Sequence, residues 1–223
     1  AQPWYALAQR FLGRGIITSN KCRLFVDKHS KTDILATFFN PTNEDISMAD
    51  FNQILTPGDV DAGIINVVNE IPAGSCHKIE WNRKVAAFQL DRVEPAIFAK
   101  PTNYGFIPQT LDEDGDELDV LLITRQPLAT GVFLEAKVIG VMKFVDDGEV
   151  DDKIVCVPAD DRDTGNAYNS LADLPANLIK QIEFHFNNYK ALKKPGSTKV
   201  THWGDVEEAK EVIRESIKRW NER

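Results

Sequence analysis

The sequence predicts a mainly β protein with flanking helices, its strands first and its helices last. Two observations predict it. Short runs rich in β-branched and aromatic residues recur between Ile64 and Val157, separated by Pro, Gly, Asp and Asn turns. From Asp173 onward the apolar residues switch to helical spacing. Strands this short, close to a helical tail, point to a small barrel.

The strand candidates are Ile64–Val68, His77–Trp81, Ala87–Leu90, Val120–Thr124, Val132–Phe144 and Ile154–Val157. Val120-Leu121-Leu122-Ile123 is a continuous apolar run and reads as a buried strand. In His77–Trp81, Lys78 and Glu80 are two apart and so share one face, where each can hold the other. The runs ending at Phe144 and beginning at Ile154 are joined by a charged turn, which predicts a hairpin. Asp173 is placed to cap, and Pro175 to start, a helix in which Leu178, Ile179, Ile182 and Phe186 recur, with Tyr189-Lys190 emerging near its end. A last helix opens with Asp205 and Glu208 in a capping-box arrangement and carries Val206, Ala209, Ile213 and Trp220 on one stripe.

The chemistry concentrates in the turns. Residues 112 to 119, Asp-Glu-Asp-Gly-Asp-Glu-Leu-Asp, hold six acids in eight positions at the mouth of the Val120 strand. Crowding carboxylates costs like-charge repulsion, which a hard cation taking oxygen ligands offsets; a solvated acidic hairpin is the alternative. A second turn, Asp146-Asp147-Gly148-Glu149-Val150-Asp151-Asp152, places five acids before Lys153. Two such clusters on strand ends of one small domain can converge, and a multi-metal site is the leading expectation. An EF-hand loop is excluded: with Gly115 sixth, Leu121 falls at the twelfth position, where a bidentate Glu is needed. There is no P-loop, no G-x-G-x-x-G between a strand and a helix, and no metal-ligand spacing among the four histidines.

Around the acids stand groups suited to a polyanion: Glu70 leading through Gly74-Ser75 to Lys78 and Glu80, then Asp91-Arg92, then Asn103-Tyr104-Gly105-Phe106-Ile107-Pro108. Singly, each has a plainer reading, the Lys78/Glu80 pair as a surface pair and Tyr104 as a packed aromatic. As an ordered set they resemble the soluble family I inorganic pyrophosphatases, bacterial type. The signature D-[SGDN]-D-[PE]-hydrophobic-D-hydrophobic is met by Asp114 to Val120, and the resemblance runs over about residues 50 to 221, including Gly140-Val-Met-Lys-Phe144 and His185-Phe-x-x-Tyr189-Lys190. Glu117 stands where many members have proline, and the stretch from Glu70 to Lys78 is the shorter of two family spacings.

The resemblance implies an OB-like five-stranded β-barrel with flanking helices and hydrolysis of pyrophosphate to two orthophosphates. It implies several Mg²⁺ ions per site, other divalent cations also serving, held by Asp114, Asp119, Asp146 and Asp151, with Glu70 aiding through water and Asp119 bridging two metals. Asp116 would orient or deprotonate the attacking water, and Lys78, Arg92, Tyr104, Lys153, Tyr189 and Lys190 would hold phosphate oxygens. It also implies a homo-oligomer, commonly a hexamer. The chemistry is consistent: a multiply charged anion repels hydroxide until cations neutralise its oxygens, and two metals sharing a water lower its pKa toward ~7. A non-catalytic OB-type module that uses metal to order its loops is the competing hypothesis, but it has no use for Asp116 or the complete basic set. A nucleotide pyrophosphohydrolase is disfavoured by the lack of a Nudix-like box.

A net charge of −8 argues against nucleic-acid or anionic-membrane partners. Three cysteines without C-x-x-C spacing, Cys22, Cys76 and Cys156, read as reduced thiols in a cytoplasmic protein, Cys156 in the core. No apolar run is long enough to span a bilayer, and no secretory signal stands out. Residues 1–47 match nothing in the family: through Lys31 they carry Arg10, Arg14, Lys21, Arg23, Lys28 and Lys31 against Asp27 alone. The expectation is a native start at Met48, an upstream artefact before it, and a pyrophosphatase domain over 48–223, with few contacts between the first segment and the barrel. The rival is an organellar targeting leader.

Overall fold

The computed structural model describes residues 50–163 and 165–223. The expectations placed on residues 1–47 lie outside this range. In order, the elements are helix α1 (Phe51–Ile54), strands β1 (Gly58–Asp59), β2 (Ile64–Ile71), β3 (His77–Asn82), β4 (Ala87–Val93), β5 (Asn103–Phe106), β6 (Asp119–Leu122), β7 (Phe133–Asp146), β8 (Glu149–Val150) and β9 (Lys153–Pro158), helix α2 (Ala176–Asn188), strand β10 (Thr198–Gly204) and helix α3 (Val206–Glu222).

Five strands close on themselves. β2 pairs with β5, β5 with β6, β6 in parallel with β9, β9 with β7, and β7 back with β2. This closed ring is the small OB-like barrel that the sequence predicts. β1 extends β2, while β8 and β10 pair with β7. β3 and β4 form a separate hairpin, in which Trp81 and Phe88 pack with Phe51.

Alternating side chains feed two cores. Val120, Leu122, Ile154 and Cys156 join Ala209, Val212 and Ile213 of α3, whereas Leu121, Ile123, Val155 and Val157 join Ile182 and Phe186 of α2. Because each face of β6 and β9 is covered, these strands read as unbroken apolar runs. The long β7 also feeds both cores, and a register shift between Val138 and Gly140 exchanges its faces. Ala136 and Val138 before the shift and Val141 after it join the α3 core, while Ile139, Met142 and Phe144 join the α2 core.

Two glycines are dictated by close geometry. A Cβ on Gly105 would lie 1.9 Å from the Val68 carbonyl oxygen, so β5 can approach β2 only with no side chain there. At the tip joining β7 to β8, Asp147 and Gly148 have φ of 54° and 96°, the two-residue turn with both central residues left-handed that suits a hairpin's twist.

Several elements differ from expectation. β2, β3, β4, β7 and β9 extend past their predicted C-terminal ends, β6 stops at Leu122 rather than Thr124, and α1, β1, β5, β8 and β10 have no counterpart among the predicted elements. β5 lacks an apolar run: its Asn103 is fully buried, accepting N–H groups from Ala73 and Leu128 at 3.0 and 2.8 Å. Asp173 does not cap α2. Its carboxylate accepts the N–H groups of Asn169 and Ser170 and closes a capping box on a separate 3₁₀ turn, Leu171–Asp173, leaving Pro175 at the α2 N-cap. At α3, Asp205 accepts from Glu208 N–H at 3.0 Å, but the Glu208 carboxylate turns to His202 rather than completing the box. Trp220 lies outside the core, half-exposed beneath Arg223.

Candidate active site

One cavity of about 430 Å³ opens where the ends of β2, β5, β6, β7 and β9 meet the β3–β4 hairpin and the last turn of α2, a size that suits a small anion with its cations. Every site residue predicted from sequence except Lys190 lines it. The two acidic turns therefore do converge. Parallel pairing is the cause: Val120 sits opposite Ile154, so the preceding residues, Asp119 and Lys153, arrive side by side.

Lys153 is the hub. Its side chain is 1% exposed, and its ammonium lies 2.5 Å from Asp119 Oδ2 while also bonding Asp151 Oδ1. One cation thus ties the first acidic turn to the second. The Tyr104 hydroxyl donates to the same Asp119 oxygen. Opposite, the Tyr189 hydroxyl and the Lys190 ammonium each lie 2.5 Å from Asp146, on separate carboxylate oxygens. Lys190 stands behind Asp146 rather than on the cavity wall and also reaches Asp147 at 3.0 Å.

On the hairpin, Lys78 lies directly across from Arg92. Two cations so placed repel, and acids offset this: Lys78 pairs with Glu80 at 2.5 Å, as its strand spacing predicts, and Arg92 pairs with Asp91 at 2.6 Å and with Glu94. Asp116 sits at the rim, with its side chain 79% exposed and held at 3.1 Å by Arg83. Glu117, buried beneath it, accepts from the Asn52 amide at 2.6 Å and lies 3.4 Å from Arg83. Glu117 is therefore the foot that anchors the acidic loop.

The electrostatics follow from burial. Desolvation lifts the Glu70 carboxyl well above the usual carboxylate range, and Asp119 adds to it, although the Trp81 N–H at 2.6 Å pulls the other way. Burial likewise raises Asp114 and, against the pull of Lys153, Asp151. For Lys153 burial opposes the charge, but Asp119 and Asp151 outweigh it and hold its pKa above the ordinary lysine value. Burial and Asp119 push the Tyr104 phenol up, and burial and Asp146 push Tyr189 up, so both remain donors at neutral pH.

The donor set suits hard divalent ions. The cavity offers carboxylate oxygens without a cluster of soft ligands, the chemistry that selects Mg²⁺ or Mn²⁺. Among the described residues no three His, Cys, Asp or Glu side chains are gathered tightly around one point. Asp119, Asp151 and Asp146 are instead each drawn onto a lysine. Mg²⁺ fits such a site, since it is commonly held by one or two carboxylates and keeps several waters.

Among the wall residues that the sequence reading does not reach are Arg83 and Lys100. Arg83 lies in the β3–β4 turn and Lys100 just before Pro101, and neither belongs to a periodic or signature string. Only the fold brings them in.

The sequence model of inorganic pyrophosphatases matches residues 67–221. The chain belongs to the inorganic pyrophosphatase family. An inorganic pyrophosphatase of Haemophilus influenzae is 99% identical over 176 residues, covering 79% of this chain and 100% of that protein. One from Neisseria meningitidis is 87% identical over 174 residues, 78% of this chain and 98% of the relative. Among solved structures, the crystal structure of an inorganic pyrophosphatase from Neisseria gonorrhoeae is 85% identical with a TM-score of 0.76, covering 77% of this chain and 99% of that one. The Thermus thermophilus pyrophosphatase keeps a TM-score of 0.72 at 37% identity, covering 78% and 99%. As a member of this family the chain is an inorganic diphosphatase, a hydrolase that cleaves pyrophosphate, and the family implies a divalent-metal requirement. Among the described residues no helix is long and apolar enough to cross a membrane.

Proposed function

We propose that the chain splits pyrophosphate into two orthophosphates by attack of a metal-activated water, with several Mg²⁺ ions held by Asp114, Asp119, Asp146 and Asp151 and assisted by Glu70. The observation that carries this reading is the meeting of both acidic turns on one buried ammonium, Lys153, within a cavity whose other wall is basic. When bound, divalent cations would neutralise phosphate oxygens and lower the pKa of a coordinated water toward ~7. Asp116, exposed at the rim and so open to solvent, would accept a proton from the attacking water. Arg92 offers a fork matched to phosphate oxygens, while Lys78, Lys153 and Lys190 act as point charges and Tyr104 and Tyr189 as neutral donors.

The catalytic unit is residues 48–223, a stretch as long as the 176-residue alignment with the Haemophilus relative. It acts in the cytoplasm, or in an organelle if the first 47 residues are a leader, on pyrophosphate and without nucleic-acid or membrane partners. It works as a homo-oligomer, a hexamer by resemblance; exposed Ile97 and Phe184, beside one surface groove, accord with a covered face.

Phosphate release from pyrophosphate, from nucleoside triphosphates and from buffer, with and without Mg²⁺, tests the reaction; hydrolysis surviving exhaustive chelation would overturn it. Asp116→Asn should cut turnover by about 10² or more while leaving Mg²⁺ affinity near the parent's, and Asp119→Asn should weaken Mg²⁺ binding itself. Equal effects of both on calorimetric Mg²⁺ affinity, with equal turnover at saturating metal, would remove Asp116 as the base.

A further inference from the structure

Lys100 enters the cavity from a segment that carries none of the family strings. Its position is fixed by its backbone, which exchanges two hydrogen bonds with the loop after β2: Lys100 N–H donates to Ser75 at 3.0 Å, and the Lys100 carbonyl accepts Gly74 N–H at 2.8 Å. The Lys100 ammonium stands 4.1 Å from the centre of the Tyr104 ring, 5.1 Å from Phe186 and 5.7 Å from Tyr189. Three aromatic faces thus aim the ammonium into the cavity that Tyr104 and Tyr189 line.

Its partners set it apart. Lys78, Arg92, Lys153 and Lys190 each pair with a carboxylate. Lys100 forms no ion pair or side-chain hydrogen bond among the described residues, and ring faces are its only contacts of that kind. Burial disfavours its charge; Asp119 supports it, while Lys153, Lys78 and Arg92 oppose it, and the balance holds its pKa down to about 7. A cation in this setting gains from an incoming anion more than one already held by a carboxylate.

We propose that Lys100 is a further substrate-binding residue of this site, its ammonium taking an oxygen of one phosphoryl group beside Tyr104. The proposal rests on the pyrophosphatase reading above and adds to it a cation that the family strings do not contain. The rival role is structural, with Lys100 only stapling the rings of Tyr104 and Phe186. Lys100→Met keeps the stem against those rings and removes the charge; Lys100→Gln is a second neutral variant if Met impairs folding; Lys100→Arg restores a donor.

Titration calorimetry in saturating Mg²⁺, with imidodiphosphate in one arm and orthophosphate in the other, separates a substrate contact from a product contact. Lys100→Met should bind imidodiphosphate about tenfold more weakly or worse, the loss of one charge-assisted hydrogen bond. Its KM should rise, its Mg²⁺ affinity without anion should stay at the parent value, and Lys100→Arg should recover most of the anion binding. An effect confined to orthophosphate would overturn the substrate contact. Anion affinity within about twofold of the parent in a folded neutral variant would overturn the proposal altogether. Parent hydrolysis measured alongside keeps the two readings apart: an active parent with an unaffected Lys100→Met refutes only Lys100, whereas an inactive parent refutes the pyrophosphatase reading.

Discussion

Replacing Lys153 by Met removes the one ammonium bound to both Asp119 and Asp151, while keeping a side chain of similar length in a fully buried slot. Taking one partner from a buried ion pair costs about 3–5 kcal/mol, because the remaining charge stays desolvated. Here the carboxylates are 22% and 17% exposed, so water reaches them and the lower end, about 3 kcal/mol, is expected. For a domain of this size each kcal/mol moves the melting temperature by roughly 2–4 °C, so Lys153→Met should melt about 6–12 °C below the parent in chelator at pH 8. The deficit has a pH sign. Burial already raises Asp151 above the usual carboxylate value, and losing Lys153 raises it further. An acid with a raised pKa in the fold binds more protons folded than unfolded, so the variant should regain stability as pH falls through its folded pKa toward the ordinary carboxylate value of the unfolded chain. Saturating Mg²⁺ should also lift the variant's melting temperature more than the parent's, since the cation replaces a charge that the parent already has. Scanning calorimetry at pH 8 and pH 5, with chelator and with Mg²⁺, measures all three effects. A melting temperature within about 2 °C of the parent at pH 8 in chelator would show that the ion pair adds nothing to the fold and refute the reasoning.

His185 is buried with Nε2 unbonded, and burial, with Lys100 adding, holds its pKa down to about 3. The unfolded chain therefore takes up a proton near pH 6.5 that the fold refuses, and stability falls as pH drops from there toward 3; His185→Leu should lose a dependence of roughly tenfold in the folding constant per pH unit. Urea midpoints at pH 7 and pH 5 that shift equally in parent and variant would contradict this. Deleting residues 1–47 should leave pyrophosphate turnover and the melting temperature at their full-length values, and a 48–223 chain that fails to fold would defeat the domain assignment.

The parts of the site that were legible are those written as local strings. Asp114 to Asp119, Asp146 to Lys153, and Tyr189-Lys190 each belong to one turn or one helix end, so their residues stay neighbours wherever the chain goes. The barrel was legible because Val120–Ile123 and Ile154–Val157 are apolar at every position, the pattern of strands covered on both faces. What failed was competition between nearby signals. Asp173 looks like the cap of α2, but Ser170 lies three residues before it and completes a capping box of its own, so the carboxylate is used one turn early. β5 was hidden because its buried contacts are made by an amide, Asn103, and by a glycine that permits contact with β2.

Lys100 marks the limit of reading by strings. Its place depends on a loop after β2 clamping the backbone of a segment that precedes β5, and on rings contributed by β5 and α2. Only Tyr104 is near it in sequence; the clamp at Gly74-Ser75 and the Phe186 ring come from distant stretches. The same holds for the Asp119–Lys153 contact, which follows from the parallel pairing of β6 with β9 across the insertion of β7 and β8. Each acidic turn names its own residues; the order in which the strands pair brings the turns onto one ammonium. A change that shifted the β6–β9 register by one residue would leave every string intact and turn Asp119 away from Lys153. The site is therefore a property of the barrel's strand order as much as of its charged residues.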